Sequence, residues 1–214
     1  RERMDDKKLA EVLEVFLTVQ VSKELPRQGF LYSGFKINEA DSVAAHSYNV
    51  AMFAYIMATE LKKSGWNINP DKTLKIAMMH DIGESITGDI GTYAKELARD
   101  RFDKVEKDAV KLLIRNLSAK EKLMKYFREY QKLSSIEAQV VKFVDTLDAF
   151  VQAFNTPSAN MDDVKSSVAY ISKKKIKNPK LFALFNIATR LIDERKVTLY
   201  KGHVMGNTET QEKL

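Results

Sequence analysis

Apolar residues recur at helical spacing along most of the chain. Leu9, Val12, Leu13, Phe16 and Leu17 share one face and predict an amphipathic helix over about residues 5–21. Pro26-Arg27-Gln28-Gly29 cannot extend it, so the stretch to Ala40 reads as a loop. Asp41 or Ser42 is the expected N-cap of a helix to about Lys63, and Asn69 or Pro70 opens the next. In that one Leu74-Lys75-Ile76-Ala77-Met78-Met79 is apolar on nearly every side, as in a buried helix. Gly83, Gly88 and Gly91 mark a loop, followed by a charged helix at about 92–116. Ser118-Ala119-Lys120-Glu121 has the form of a capping box starting another helix. Ser134 or Ser135 caps a helix to about Phe154 with the buried run Val140-Val141-Lys142-Phe143-Val144. Helices at about 161–175 and from Pro179 to about Tyr200 complete the pattern.

Composition agrees. Eight glycines and four prolines in 214 residues are too few turn formers for an all-β chain. The expected fold is all-α: one helical bundle of about eight helices over residues 1–200, with a polar, fraying tail over 201–214. The longest wholly apolar run, Val50–Ala58, has nine residues, whereas a membrane span needs about 20, so no membrane contact is expected. No apolar stretch near Arg1 resembles a signal peptide. The chain has no cysteine, which excludes disulfides, thiolate metal sites and cysteine nucleophiles and fits a reducing, cytoplasmic compartment. The net charge of +6 suits either anionic partners or a lysine-rich soluble surface.

Three places break the apolar pattern. His46 sits on the same predicted face as Val50, Phe53 and Met57. His80 and Asp81 end the most apolar helix, and Asp145 directly follows Val140–Val144. A buried carboxylate is costly unless paired or metal-bound. Two imidazoles and two carboxylates form a donor set suited to a divalent transition metal (Mn, Fe, Co, Ni or Zn) rather than calcium. Each residue alone has an ordinary reading, as a satisfied core histidine, a cap or a solvated aspartate. Two of the chain's three histidines nevertheless fall in these places.

His46, the His80-Asp81 doublet and Asp145 resemble the H…HD…D signature of the HD-domain metal-dependent phosphohydrolases. Ser42-Val43-Ala44-Ala45-His46-Ser47 is similar to the family's S-V-x-E-H-S. The block His80-Asp81-Ile82-Gly83-Glu84-Ser85-Ile86-Thr87-Gly88-Asp89 is similar to H-D-x-x-E-x-x-x-G-D of its 5′-deoxynucleotidase branch. Val141-Lys142-Phe143-Val144-Asp145 matches V-K-x-x-D, and Pro26-Arg27-Gln28-Gly29-Phe30 resembles P-R-x-G-W. The resemblance covers about residues 9–155.

It implies one divalent metal held by His46, His80, Asp81 and Asp145, with Asp81 also counted in the catalytic set, and Glu84 orienting or deprotonating the attacking water. Arg27 would clamp the phosphate, Asp89 would accept from the sugar, and Phe30 (or Tyr32) would wall C2′. Lys95 and Thr92 are similar to positions after the G-D in some members, and Asp148 reads as a neighbour of the site or a surface residue. The implied reaction is hydrolysis of deoxyribonucleoside 5′-monophosphates to deoxynucleosides and phosphate. The implied assembly is a homodimer, for which Leu181, Phe182, Leu184, Phe185 and Ile187 offer a surface.

The chain departs from the pattern at Ala45, where the family has an acid, at Phe30, where it has tryptophan, and at Gln28 after Arg27. Histidines expected of binuclear members are missing between the doublet and Asp145. Two alternatives stand beside this reading. One is an HD hydrolase of another nucleotide, a triphosphate or an alarmone. The other is a basic helical nucleic-acid-binding protein, for which Lys173-Lys174-Lys175-Ile176-Lys177 is the best argument. That run has no interleaved aromatics and reads equally as a solvated helix end, so nucleic acid is not the expected partner.

Overall fold

The structure, a computed structural model, describes residues 5–98 and 100–197, and the backbone of 199–200 and 204–205. The helices in chain order are α1 (Asp6–Val19), α2 (Gln28–Tyr32), α3 (Val43–Lys63), α4 (Pro70–Met79), α5 (Glu84–Thr87) and α6 (Thr92–Ala98). They continue with α7 (Asp100–Leu113), α8 (Lys120–Lys132), α9 (Ile136–Phe154), α10 (Met161–Lys175) and α11 (Pro179–Asp193). A 3-10 turn at Gln20–Lys23 follows α1. The fold is all-α, apart from two-residue strands β1 (Leu199–Tyr200) and β2 (Val204–Met205), which pair antiparallel. The remaining residues of the expected tail lie outside the described ones.

Local chemistry places most helix starts. The Ser42 side chain accepts from Ala45 N at 3.2 Å, Asn69 accepts from Lys72 N at 3.1 Å ahead of Pro70, and Ser135 accepts from Ala138 N at 3.2 Å. Some expectations are corrected. The stretch 92–116 comprises two helices, α6 and α7, and short helical turns form at α2 and α5, so there are more helical elements than eight. The expected capping box does not form: α8 starts one residue later, with Ala119 at the N-cap and no side-chain cap, and Lys120 N donates to Leu117 O at 3.2 Å. α11 stops at Asp193, short of Tyr200. Arg195 takes a left-handed conformation (φ 54°) and Lys196 N reaches back to Leu191 O at 2.8 Å, a Schellman-type closure.

α9 is the central helix. Its Ala138, Val140, Val141, Phe143, Val144 and Phe150 are buried among α3, α4, α10 and α11. On α3 the row Val43, His46, Val50, Ala54, Ala58 and Leu61 faces this core, whereas Phe53 is 54% exposed and leaves the predicted face. A smaller cluster of Met79, Val110, Ile114, Met124 and Phe127 joins α4 to α7 and α8. Leu181 and Phe185 of α11 are buried in the main cluster, Phe185 edge-on to Phe143 at 5.4 Å, so they are not available to a second copy.

The loop before α3 is closed on itself. Arg27 N donates to Asp41 O (3.0 Å) and Val43 N donates to Leu25 O (2.9 Å), with a bridge between Pro26 and Ser42. Phe30 and Phe35, 4.7 Å apart, plug this loop into the core. Arg27 is thereby held beside the first turn of α3.

Candidate metal and phosphate site

Four helices bring their polar residues together. His46 stands on the first turn of α3, His80 and Asp81 at the C-terminal end of α4, Glu84 at the start of α5 and Asp145 in the middle of α9. Gly83 permits the sharp connection between α4 and α5, since a Cβ there would lie 3.0 Å from Val110 Cγ2 of α7. Gly88, with φ 72°, then turns the chain so that Asp89 returns toward Arg27.

Hydrogen bonds determine the histidine tautomers. His80 Nδ1 lies 2.7 Å from the carbonyl of Ala77, which can only accept, so Nδ1 carries the proton. His46 Nδ1 lies 2.7 Å from Asp148 Oδ2 and likewise donates. The two Nε2 atoms then face each other at 3.4 Å. Asp81 Oδ2 lies 3.1 Å from His80 Nε2 and 3.6 Å from His46 Nε2, and Asp145 Oδ1 lies 3.3 Å from His46 Nε2. Lone pairs and carboxylate oxygens converge on one point, an arrangement that asks for a positive charge. The protein alone supplies a proton: burial and Arg27 would lower His46, but Asp145 and Asp148 outweigh them and push it up to about 9. A divalent cation fits the same place, where His46, His80 and Asp81 offer donor atoms within 4.8 Å of one another.

The carboxylates differ in electrostatics. Burial would raise Asp81 and Asp145, yet both are held well below the ordinary range, Asp81 by His80 and Arg27, Asp145 by Lys142 and His46. Glu84 goes the other way: burial and the charges of Asp81 and Asp89 push it up to about 9. Its Oε1 is 3.6 Å from Lys95 Nζ, and its Oε2 is buried without a hydrogen-bond partner.

Arg27 is 17% exposed and lies 3.6 Å from Asp81, 3.9 Å from Asp89 and 3.9 Å from Asp145. Burial works against its charge, but the three carboxylates hold its pKa well above the usual value. These separations exceed hydrogen-bond length, and Nη1 is buried with no acceptor. Its donors are therefore free for an incoming anion. Asp89 accepts from Gln28 N at 2.6 Å, which ties the Arg27 loop to the segment after α5. Arg27, His80, Asp81, Glu84, Asp89 and Asp145 line a cavity of about 710 Å³ that also reaches Lys95, Tyr130 and Lys142.

Phe30 is not brought to this cavity. Its ring is spent on the core against Phe35, because the loop carrying Arg27 needs an apolar anchor. Tyr32 is exposed, and its ring approaches Gly91 on the cavity rim. Sequence reasoning missed Tyr130 and undervalued Lys142 and Asp148. Tyr130 OH and Lys142 Nζ both donate to Asp145 Oδ2 at 2.6 Å. Lys142 and Asp148 lie one turn either side of Asp145, a spacing that signals one face of α9. Tyr130 is on α8, and nothing local in the sequence marks it. The basic run at the end of α10 is partly engaged: Lys174 donates to Glu96 at 2.9 Å and to the Tyr170 hydroxyl at 3.1 Å.

A helical bundle with paired histidines and aspartates converging beside a buried arginine is the arrangement of a metal-dependent hydrolase scaffold. The chain belongs to the HD domain family, whose match spans residues 19–182. A 5′-deoxynucleotidase of Schizosaccharomyces pombe is 33% identical over 138 residues, covering 62% of this chain and 65% of that protein. A 5′-deoxynucleotidase of Bos taurus is 30% identical over 144 residues, covering 66% of each. The chain thus spans slightly less than two thirds of the length of these two relatives. The crystal structure of the PH0347 protein from Pyrococcus horikoshii is 34% identical with a TM-score of 0.69, covering 84% of this chain and 99% of that one. The resemblance drawn from the motifs is borne out for the family and for its 5′-deoxynucleotidase branch.

Proposed function

We propose that this chain is a metal-dependent phosphomonoesterase that hydrolyses deoxyribonucleoside 5′-monophosphates. The observation that carries the reading is the convergence of two tautomer-fixed Nε2 atoms and the Asp81 carboxylate beside a buried arginine with an unused donor. His46, His80, Asp81 and Asp145 would hold the cation, a transition metal of the Mn, Fe, Co, Ni or Zn group by donor type. When bound, such an ion lowers the pKa of water, polarises a phosphoryl group and offsets the carboxylate repulsion that keeps Glu84 protonated.

The protein's own residues supply the rest. Arg27 presents a planar fork that fits two phosphate oxygens, and its charge never titrates away. Glu84, a buried carboxylate on the cavity wall outside the cation group, is the proposed proton acceptor from water. Lys95, 3.6 Å from Glu84 and 3.2 Å from Glu106, holds that carboxylate against the α7 side of the cavity. Asp89 retains one oxygen for a sugar hydroxyl after bonding Gln28. The names of the matched relatives support the deoxynucleotide substrate.

The proposed assembly is a homodimer. Phe16 and Leu17 on α1 are 59% and 68% exposed, Phe53 and Ile56 on α3 are 54% and 49% exposed, and no residue of α1 is fully buried in its own chain. Among the described residues no helix is long and apolar enough to cross a membrane. The cysteine-free composition supports a reducing compartment, the cytoplasm.

The test is phosphate release from a panel of nucleoside mono-, di- and triphosphates after chelation and addition of each metal. Deoxynucleoside 5′-monophosphates should be cleaved only when metal is restored. Metal analysis of His46→Ala and Asp81→Ala should show loss of the ion, whereas Glu84→Ala should keep it and lose about 10²–10⁴ in kcat. Cleavage confined to triphosphates, or full turnover without metal, would overturn the reading.

A further inference from the structure

The two oxygens of Asp145 have different surroundings. Oδ1 faces His46 Nε2 at 3.3 Å and Arg27 Nη2 at 3.9 Å. Oδ2 faces away from them and accepts two hydrogen bonds of 2.6 Å, one from the Tyr130 hydroxyl and one from the Lys142 ammonium. These donors arrive from different elements. Lys142 precedes Asp145 by one turn on α9, whereas Tyr130 reaches it from α8 across the Leu133 turn.

Neither donor is loosely held. The Tyr130 ring packs edge-on against the His80 ring with centroids 5.3 Å apart, so one side chain touches both the imidazole of α4 and the carboxylate of α9. A phenol has a single hydrogen to donate, and here it goes to Oδ2. Lys142 is 20% exposed on the cavity wall, and Asp145 is its one ion-pair partner among the described residues. A carboxylate with one oxygen saturated by a neutral and a cationic donor has only the other free.

We infer that Tyr130 and Lys142 are positioning residues that occupy Oδ2 of Asp145 and present Oδ1 alone to the cation, making Asp145 a single-oxygen ligand. The inference rests on the metal reading above. Its consequence concerns room at the ion. A carboxylate chelating through both oxygens would take one more coordination position, at the expense of water or a phosphate oxygen. Tyr130 and Lys142 keep that position open. Outer-shell partners of this kind also set the orientation and the affinity of the ligand they hold.

The experiment uses the full chain, stripped by chelation and titrated with Co²⁺ by calorimetry and visible absorption. Tyr130→Phe and Lys142→Met should each bind Co²⁺ about 10–100-fold more weakly. Their Co²⁺ absorption should change in shape, because a freed Oδ2 can reach the ion. Lys142→Arg should recover much of the affinity. The thermal midpoint of the chelated proteins separates packing from positioning: a merely structural role lowers that midpoint and leaves Co²⁺ affinity unchanged. Should Tyr130→Phe not fold, the two Lys142 variants on the cavity wall carry the test. Co²⁺ affinity within about two-fold of the parent, with an unchanged spectrum, overturns the inference, since an outer-shell contact is worth more than that. A parent chain that binds no Co²⁺ overturns the metal reading and this inference with it.

Discussion

Asp148 Oδ2 lies 2.7 Å from Nδ1 of His46, so a carboxylate on α9 dictates which nitrogen of a buried ring on α3 carries the proton. His80 receives the same service from a backbone carbonyl, that of Ala77. One ring is therefore oriented by a side chain that can be removed, and the other by the helix itself.

That asymmetry gives the first prediction. Asp148→Ala should weaken metal binding by about 10–100-fold, because the His46 ring loses its fixed tautomer and orientation. Competition with a chelator of known affinity measures this. Affinity equal to the parent would show that α3 alone holds the ring.

Arg27→Lys should lower kcat/KM for a monophosphate nearly as much as Arg27→Ala. The buried guanidinium has Nη1 free of acceptors, and a lysine offers neither two parallel donors nor the same reach. A lysine variant with parental kcat/KM would reduce Arg27 to a simple charge.

Phe30→Ala should destabilise the fold by about 3–5 kcal/mol, the ordinary cost of an emptied aromatic site. It should leave the ratio of kcat/KM for dAMP over AMP unchanged. Phe30 is 7% exposed, packed on Phe35, and absent from the cavity wall. Urea unfolding and paired kinetics test both halves. A collapse of the ratio in a variant of parental stability would return Phe30 to the sugar.

Acid should expose the clip between α4 and α9. Glu137 accepts from Asn69 N at 3.1 Å and from Lys72 Nζ at 3.2 Å. Burial would raise its pKa, but its own backbone N–H, the Asn69 N–H and the Lys72 ammonium lower it below the ordinary value. A depressed carboxylate contributes its full stability above the unfolded value, about 4.3, and loses it as pH falls through the folded one. The parent should therefore lose unfolding free energy more steeply than Glu137→Gln below about pH 4.5. Parallel curves would show that the clip carries no ionic contribution.

Much of the site was legible because the same physics that buries a helix makes its polar exceptions conspicuous. His46, His80, Asp81 and Asp145 interrupt helical faces that are otherwise apolar, and all but Asp81 are buried. Phe30 shows the limit. Its neighbourhood with Arg27 in sequence suggested a place near the phosphate, but one residue of helical rotation or loop closure decides which side chain faces the cavity and which faces the core. α2, five residues long, carries no periodicity from which to read that choice.

The sequence by itself determined the helical class and most helix starts and singled out the residues of the proposed donor set, because caps, breakers and periodicity act over a few neighbouring residues. Packing between distant elements decided the rest. It brought Tyr130 of α8 onto Asp145 and Asp148 of α9 onto His46 of α3, buried Leu181 and Phe185 of α11 in the chain's own core, and lodged Phe30 there as well. These outcomes depend on which helix faces meet, and that is settled only when the whole apolar surface is buried at once.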